Sequence, residues 1–332
     1  MKRMILRIAI GAMFIGSTAM LVQAQPAPGG GAPGAPGGAA PGAGRGAPGG
    51  FPGGRGGGGR GPVVIGPSAP VPPEVAMAPR PSAEELKTIN DAFKKFIDID
   101  TSSAKPLLKK YEAVLNVQGP PVNTAATYTQ TGQRQGARHE GFVAQAKQGG
   151  IDLLLLGDSI TDFWGSNANY KPMWDKYFGQ YKAADFAISG DTTQGVLWGL
   201  HNGEGQGFSP KAVMMMIGTN NTGGNSAPEI AEGIGAIVLE ARKDFPNAKI
   251  LLLAIFPRGN PGDPVRDKIA EINKIISKLD DKQHVFYMDI GPKFLAADGT
   301  LDAVMPDRLH PNAAGYDIWG AAVKDKLAEF MK

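Results

Sequence analysis

From residue 151 onward the chain repeats one unit: a short apolar run, a polar loop, then a stretch with apolar residues at helical spacing. This alternation constrains the fold more than any other feature. Strands separated by helices cross over and pair in parallel, and a strand with an unbroken apolar run is covered on both faces. The runs fall at 153–156, 185–188, 212–217, 249–255 and 285–288. Ile230, Ile234, Ile237, Val238, Ala241 and Phe245 line one helical stripe behind a Ser226-Ala-Pro-Glu229 cap. Ile269, Ile272, Ile276 and Leu279 line the next, and Tyr316, Trp319, Val323, Leu327 and Phe330 the last. The predicted fold class is α/β, a three-layer α/β/α sandwich on a five-stranded parallel sheet. Met214-Met215-Met216 reads as adaptable core packing within it.

In such a sheet the loops after the carboxyl ends of the strands meet on one edge, where ligands bind. Three of these loops carry polar residues in apolar surroundings: Gly157-Asp158-Ser159, Ser189-Gly190-Asp191-Thr192-Thr193 and Gly218-Thr219-Asn220-Asn221. A fourth, Asp307-Arg308-Leu309-His310-Pro311-Asn312, precedes the last helix. A serine nucleophile needs a base within hydrogen-bond reach, and the base needs a group to orient it. His310 fits the base, and Asp307, three residues earlier, fits the orienting carboxylate. The N–H groups of Ser159 and Gly190 and the Asn220 amide are candidate donors to a developing oxyanion. Plainer readings compete at each position. Ser159-Ile-Thr-Asp162 matches a capping box, Gly190 suits a turn, and Asn220 suits an Asx-turn. Asp307 and His310 are also placed to cap the last helix.

Taken together, GDSIT around Ser159, ISGDTT around Gly190, IGTNN around Asn220 and DRLHPN around His310 resemble the four blocks of the SGNH (GDSL) hydrolases. The resemblance implies a flavodoxin-like α/β/α fold. It also implies Ser159 as nucleophile, Asp307 and His310 as its triad partners, and Ser159, Gly190 and Asn220 as the oxyanion hole. SGDTTQGVLWGLHNGE, FPRGNPGDPVRDKIAEIN and DGTLDAVMPDRLHPNAAGY further resemble the platelet-activating-factor acetylhydrolase catalytic-subunit branch and its bacterial relatives. The similarity runs from about His139 to Lys332 and departs at one notable place: a basic residue is expected after Trp198, and Gly199 stands there. The G-x-S-x-G elbow of ordinary α/β-hydrolases is absent.

Ahead of this block, Lys2, Arg3 and Arg7 precede an apolar run over 8–22 and a Val22-Gln23-Ala24 cleavage pattern, so residues 1–24 are expected to be a signal peptide. The expected location is therefore the periplasm or the medium. The chain has no cysteine, which rules out a disulfide framework and a lipid-modified cysteine. Residues 25–80, rich in Gly, Pro and Ala, are expected to be a disordered linker with possible cell-envelope contact. Residues 81–137, opened by a Ser82-Ala-Glu-Glu85 capping box, form a helical and loop extension, and 138–332 the hydrolase domain.

The leader and the linker each carry +3, so the chain's net +3 leaves −3 from Pro81 onward, which gives no footprint for nucleic acid. No cofactor and no metal are expected. There is no H-E-x-x-H or phosphate-binding loop, and His139, His201 and His284 read as surface or packing residues. The sequence thus points to an exported serine esterase acting on short-chain, chiefly acetyl, esters of carbohydrates or small lipids, with no stable membrane span after leader removal. A non-catalytic glycan- or envelope-binding module, or a thioesterase or lysophospholipase, is the alternative on the same fold.

Overall fold

The computed structural model describes residues 64–77, 81–119 and 121–332; the expected signal peptide and most of the expected linker lie outside the described residues. The extension begins with helix α1 (Ala83–Ile99), followed by α2 (Lys105–Lys110) and α3 (Glu112–Leu115). Ser82 and Glu85 form the expected capping box on α1: the Ser82 hydroxyl accepts from Glu85 N–H and the Glu85 carboxylate accepts from Ser82 N–H. Only Ile97 of α1 is buried, whereas Phe96, Ile99, Leu107 and Val114 are exposed. Among the described residues no helix is long and apolar enough to cross a membrane.

Helix α4 (Ala137–Gln148) leads into the first of five strands, β1 (Leu153–Gly157), β2 (Ala183–Asp185), β3 (Ala212–Met216), β4 (Lys249–Leu253) and β5 (Val285–Met288). They form one sheet in the order β2-β1-β3-β4-β5. Every neighbouring pair is parallel: Leu153 lies opposite both Ala183 and Ala212, Ala212 opposite Lys249, and Ile250 opposite Val285. The strand order reverses at β1, which places the switch point of the sheet at the end that carries Ser159.

Period-two alternation divides the strands between two cores. Leu154, Leu156, Val213, Met215, Ile250 and Leu252 face one layer, with α7 (Thr193–Gly199), α8 (Ala227–Asp244) and α9 (Pro264–Ile276) packed on them. Leu153, Leu155, Met214, Met216, Leu251 and Leu253 face the other, with α5 (Ser159–Ser166), α6 (Lys171–Phe178) and α10 (Ala313–Phe330). The three methionines of β3 are all buried and are shared between the layers, as packing residues. Trp164 of α5 meets Trp319 of α10 at 4.5 Å and Phe178 of α6 at 4.7 Å, which clamps the helix carrying Ser159.

Two expectations need correction. The second strand was expected at 185–188, but its ladder covers Ala183–Asp185. Phe186, Ala187 and Ile188 are buried, so their hydrophobicity reports burial and not pairing. The Asp185 carboxylate accepts from Ala187 N–H at 3.0 Å and so turns the chain out of the ladder. The linker assigned to 25–80 also includes structured residues. Ala69 N–H donates to Ala126 O and Tyr128 N–H to Pro67 O, both within 2.9 Å, and Val75 is 3% exposed. A Cβ on Gly235 of α8 would meet Val75 at 2.6 Å and Pro72 at 2.9 Å, so α8 offers this segment a groove. Val71 and Val75 supply apolar surface, and the neighbouring prolines lower the entropy lost on ordering.

Asp185 also carries a stability prediction. Its second carboxylate oxygen is buried without a hydrogen-bond partner. Burial, with a smaller contribution from Asp162, raises its pKa from 3.8 to about 8, against the pull of the Ala187 N–H and Arg138. The folded state therefore holds a proton that the unfolded chain releases near 3.8. The associated stability is complete below that pH and is lost as pH rises through about 8. Asp185→Asn, a mimic of the protonated form, is expected to match the wild type in melting temperature near pH 4. Its advantage grows to a few °C at pH 9. A pH-independent difference in thermal scans would contradict this account.

Candidate active site

The Ser159 turn is built from its neighbours. A Cβ on Gly157 would stand 2.2 Å from Thr161 Oγ1 and 2.8 Å from the Met216 carbonyl oxygen, so the end of β1 requires glycine. Asp158, in extended geometry, is the N-cap of α5, and its Oδ1 accepts from Ile160 N–H at 3.1 Å. Burial pushes the Asp158 carboxyl up to about 7, opposed by that N–H. The capping-box reading of Ser159 is thereby displaced: the residue before it caps the helix, and its own hydroxyl is available.

That hydroxyl lies 2.9 Å from His310 Nε2. On the far side of the ring, Nδ1 lies 2.6 Å from Asp307 Oδ2. Asp307 Oδ1 accepts from Leu309 N–H at 3.0 Å and from His310 N–H at 2.7 Å, so both oxygens are used within one turn. Burial alone would raise the Asp307 pKa; the bonds from the His310 ring and the two N–H groups outweigh it and hold the carboxyl below its usual value. Arg308 adopts a left-handed φ of +59°, the strained conformation that folds Asp307 back onto the imidazole. Its Nε donates to Asp302 at 2.8 Å and its carbonyl accepts from Gly259 N–H at 2.9 Å, which holds the turn. The expectation that Asp307 and His310 only cap the last helix also fails, because Asn312 caps α10 by accepting from Gly315 N–H.

Gly190 and Asn220 lie on the loops after β2 and β3, the two strands that flank β1. Gly190 has a φ of +78°, which favours glycine. The Asn220 amide donates to the Asp191 carbonyl at 2.7 Å, joining the two loops, and retains a second N–H.

Sequence reasoning missed the support for these loops. Asp162, read there as a capping partner, accepts from Ser189 N–H at 3.0 Å and from Ser189 Oγ at 2.6 Å. Arg138 donates to its other oxygen at 2.9 Å. Asn221 accepts from Thr193 N–H at 3.0 Å and so fixes the start of α7. The signal was available in Asp162, a carboxylate on an otherwise buried helix. Nothing local identified its partner, 27 residues downstream. The other histidines have packing roles or lie at the surface. His139 lies 2.8 Å from Glu204 and against Trp198, His201 lies against Tyr128, and His284 is partly exposed.

A family model described as GDSL-like lipase/acylhydrolase matches residues 155–318. Over 194 residues the chain is 37% identical to platelet-activating factor acetylhydrolase IB subunit alpha2 of Rattus norvegicus and 36% identical to that of Homo sapiens. Each alignment covers 58% of this chain and 82% of the relative. A solved structure from Bacteroides fragilis is similar in fold, with a TM-score of 0.50 at 16% identity over 60% of this chain and 100% of that one.

Proposed function

Since the chain belongs to the GDSL-like lipase/acylhydrolase family and is an ester hydrolase, we propose that it removes short acyl groups through Ser159, His310 and Asp307. The observation that carries this reading is the unbroken chain from the Ser159 hydroxyl through the His310 ring to the Asp307 carboxylate, at 2.9 and 2.6 Å. In the first half-reaction Ser159 Oγ attacks the ester carbonyl while its proton passes to His310 Nε2. Asp307 stabilises the imidazolium that forms. Negative charge on the carbonyl oxygen is met by the N–H groups of Ser159 and Gly190 and the second N–H of Asn220. Collapse breaks the ester C–O bond, and His310 returns the proton to the departing alcohol. Water, deprotonated by His310, then releases the acid and restores the serine.

Three observations favour acetyl esters. The relatives are acetylhydrolases by name. No long apolar insertion separates the four motif blocks. The Gln133 side chain walls the turn, its Nε2 standing 3.5 Å from where a Cβ on Gly190 would be. Export is the reading of the basic and apolar leader over 1–24, and the Gly/Pro-rich stretch behind it would serve as an envelope tether. The natural substrate in this reading is an acetylated carbohydrate or a small lipid met outside the cytoplasm. The purified protein is expected to hydrolyse p-nitrophenyl acetate with kcat/KM at least tenfold above the octanoate, and to release acetate from acetylated sugars. A preference for long acyl chains would overturn the acetyl assignment.

A further inference from the structure

Arg134 lies on the loop before α4, outside the stretch matched by the family model, yet its side chain is completely buried. Its Nε donates to Asp191 Oδ2 at 2.5 Å, Nη2 donates to the Phe186 carbonyl at 2.9 Å, and Nη1 pairs with Glu204. Asp191 and Glu204 are equally buried. The other oxygen of Asp191 accepts from Thr131 Oγ1 at 3.0 Å and from Thr192 N–H at 2.9 Å. Asp191 directly follows Gly190, and its carbonyl receives the Asn220 amide. The guanidinium is thus one residue removed from both proposed oxyanion donors outside the Ser159 turn.

Helix α7 makes room for this arrangement. A Cβ on Gly195 would stand 1.9 Å from Asp191 Oδ1. One on Gly199 would stand 2.5 Å from Glu204 Oε2 and 2.8 Å from Arg134 Nη1. Position 199 is where a basic residue was expected after Trp198. Here the side chain is missing, and the guanidinium arrives instead from position 134. The planar fork of arginine spreads its donors over three nitrogens, one toward each carboxylate and one toward the carbonyl, a span that the single nitrogen of a lysine does not reproduce.

We propose that Arg134 is a positioning residue for ester hydrolysis, reaching in from the extension to hold Asp191 and, through it, the oxyanion donors at Gly190 and Asn220. The inference rests on the esterase reading above. In Arg134→Lys the expected result is a kcat for p-nitrophenyl acetate reduced 10- to 100-fold per folded molecule, with KM within twofold of wild type. A purely structural role would lower the melting temperature and leave kcat per folded molecule unchanged. Thr131→Val, which removes one bond to Asp191 and a longer one accepted from the Arg134 N–H at 3.4 Å and leaves the ion pairs in place, is the variant to read if Arg134→Lys does not fold. It should lower kcat three- to tenfold, again without a change in KM. A kcat within twofold of wild type in whichever of the two is read overturns the inference while the esterase reading stands. Absence of any ester turnover in the wild-type protein overturns both.

Discussion

Replacing Ser159 with alanine is expected to lower ester turnover by roughly 10⁶-fold, the scale on which a hydrolase loses rate when its nucleophile is removed. The reason is local. Ser159 is 8% exposed, and the hydrogen-bond partner of its hydroxyl is His310 Nε2 at 2.9 Å. The substitution removes one oxygen and no packing surface of consequence. Helix α5 keeps its cap, because Asp158 provides it, and alanine is a good residue at the first helical position. The melting temperature should therefore stay within about 2 °C of wild type, a shift that corresponds to about 0.5–1 kcal/mol for a domain of this size. Measuring p-nitrophenyl acetate hydrolysis beside a thermal scan separates the two effects. Retained turnover in a folded variant would place the nucleophile elsewhere and remove the basis of the mechanism.

Asp307→Asn should cost about 10²- to 10⁴-fold in kcat, by a different route. The carboxylate accepts three hydrogen bonds, two from backbone N–H groups and one from the ring. An amide oxygen can keep the backbone bonds, but the NH₂ then faces His310 Nδ1. The ring must present a lone pair there and carry its proton on Nε2, facing Ser159, where it can no longer accept. Loss of this orientation costs about 10⁴ in a buried triad. The Asp307 side chain is 57% exposed, so solvent screens part of its charge and moderates the loss. Because its bonds to His310 and Leu309 hold Asp307 below the usual carboxylate range, the wild-type residue stays charged throughout neutral pH and sets no limb of the activity profile there. A variant within threefold of wild type would show that His310 is oriented by something other than this carboxylate.

Much of the architecture was legible because it depends on short-range pattern. The unbroken apolar runs of β1, β3, β4 and β5 and the 3.6-residue stripes of α8, α9 and α10 are patterns that each local segment displays by itself. The run at 185–188 misled, since burial and strand pairing have the same signature in an apolar stretch and only the Asp185 turn separates them. Segment 64–77 misled in the opposite sense. Its Gly/Pro-rich surroundings mask two valines, Val75, which lies beside Gly235 of α8, and Val71, which is partly buried against the same core. At the site, the four polar loops and the Asp307-x-x-His310 spacing were visible. Whether Ser159 caps a helix or faces a base was not, because both readings use the same residues within one turn.

By itself the sequence determined the alternation of strands and helices, and with it the parallel sheet that gathers the loops of Ser159, Gly190 and Asn220 on one edge. Those features follow from hydrophobic period and chain connectivity, which are local. Only the tertiary structure decided that Asp158 caps α5, that Asp162 braces Ser189, and that Arg134 occupies the space left open by Gly199. Each is a polar pairing between groups brought together by packing. The partner of a buried charge is set by whichever group the fold places within about 3 Å, and no spacing along the chain encodes that distance.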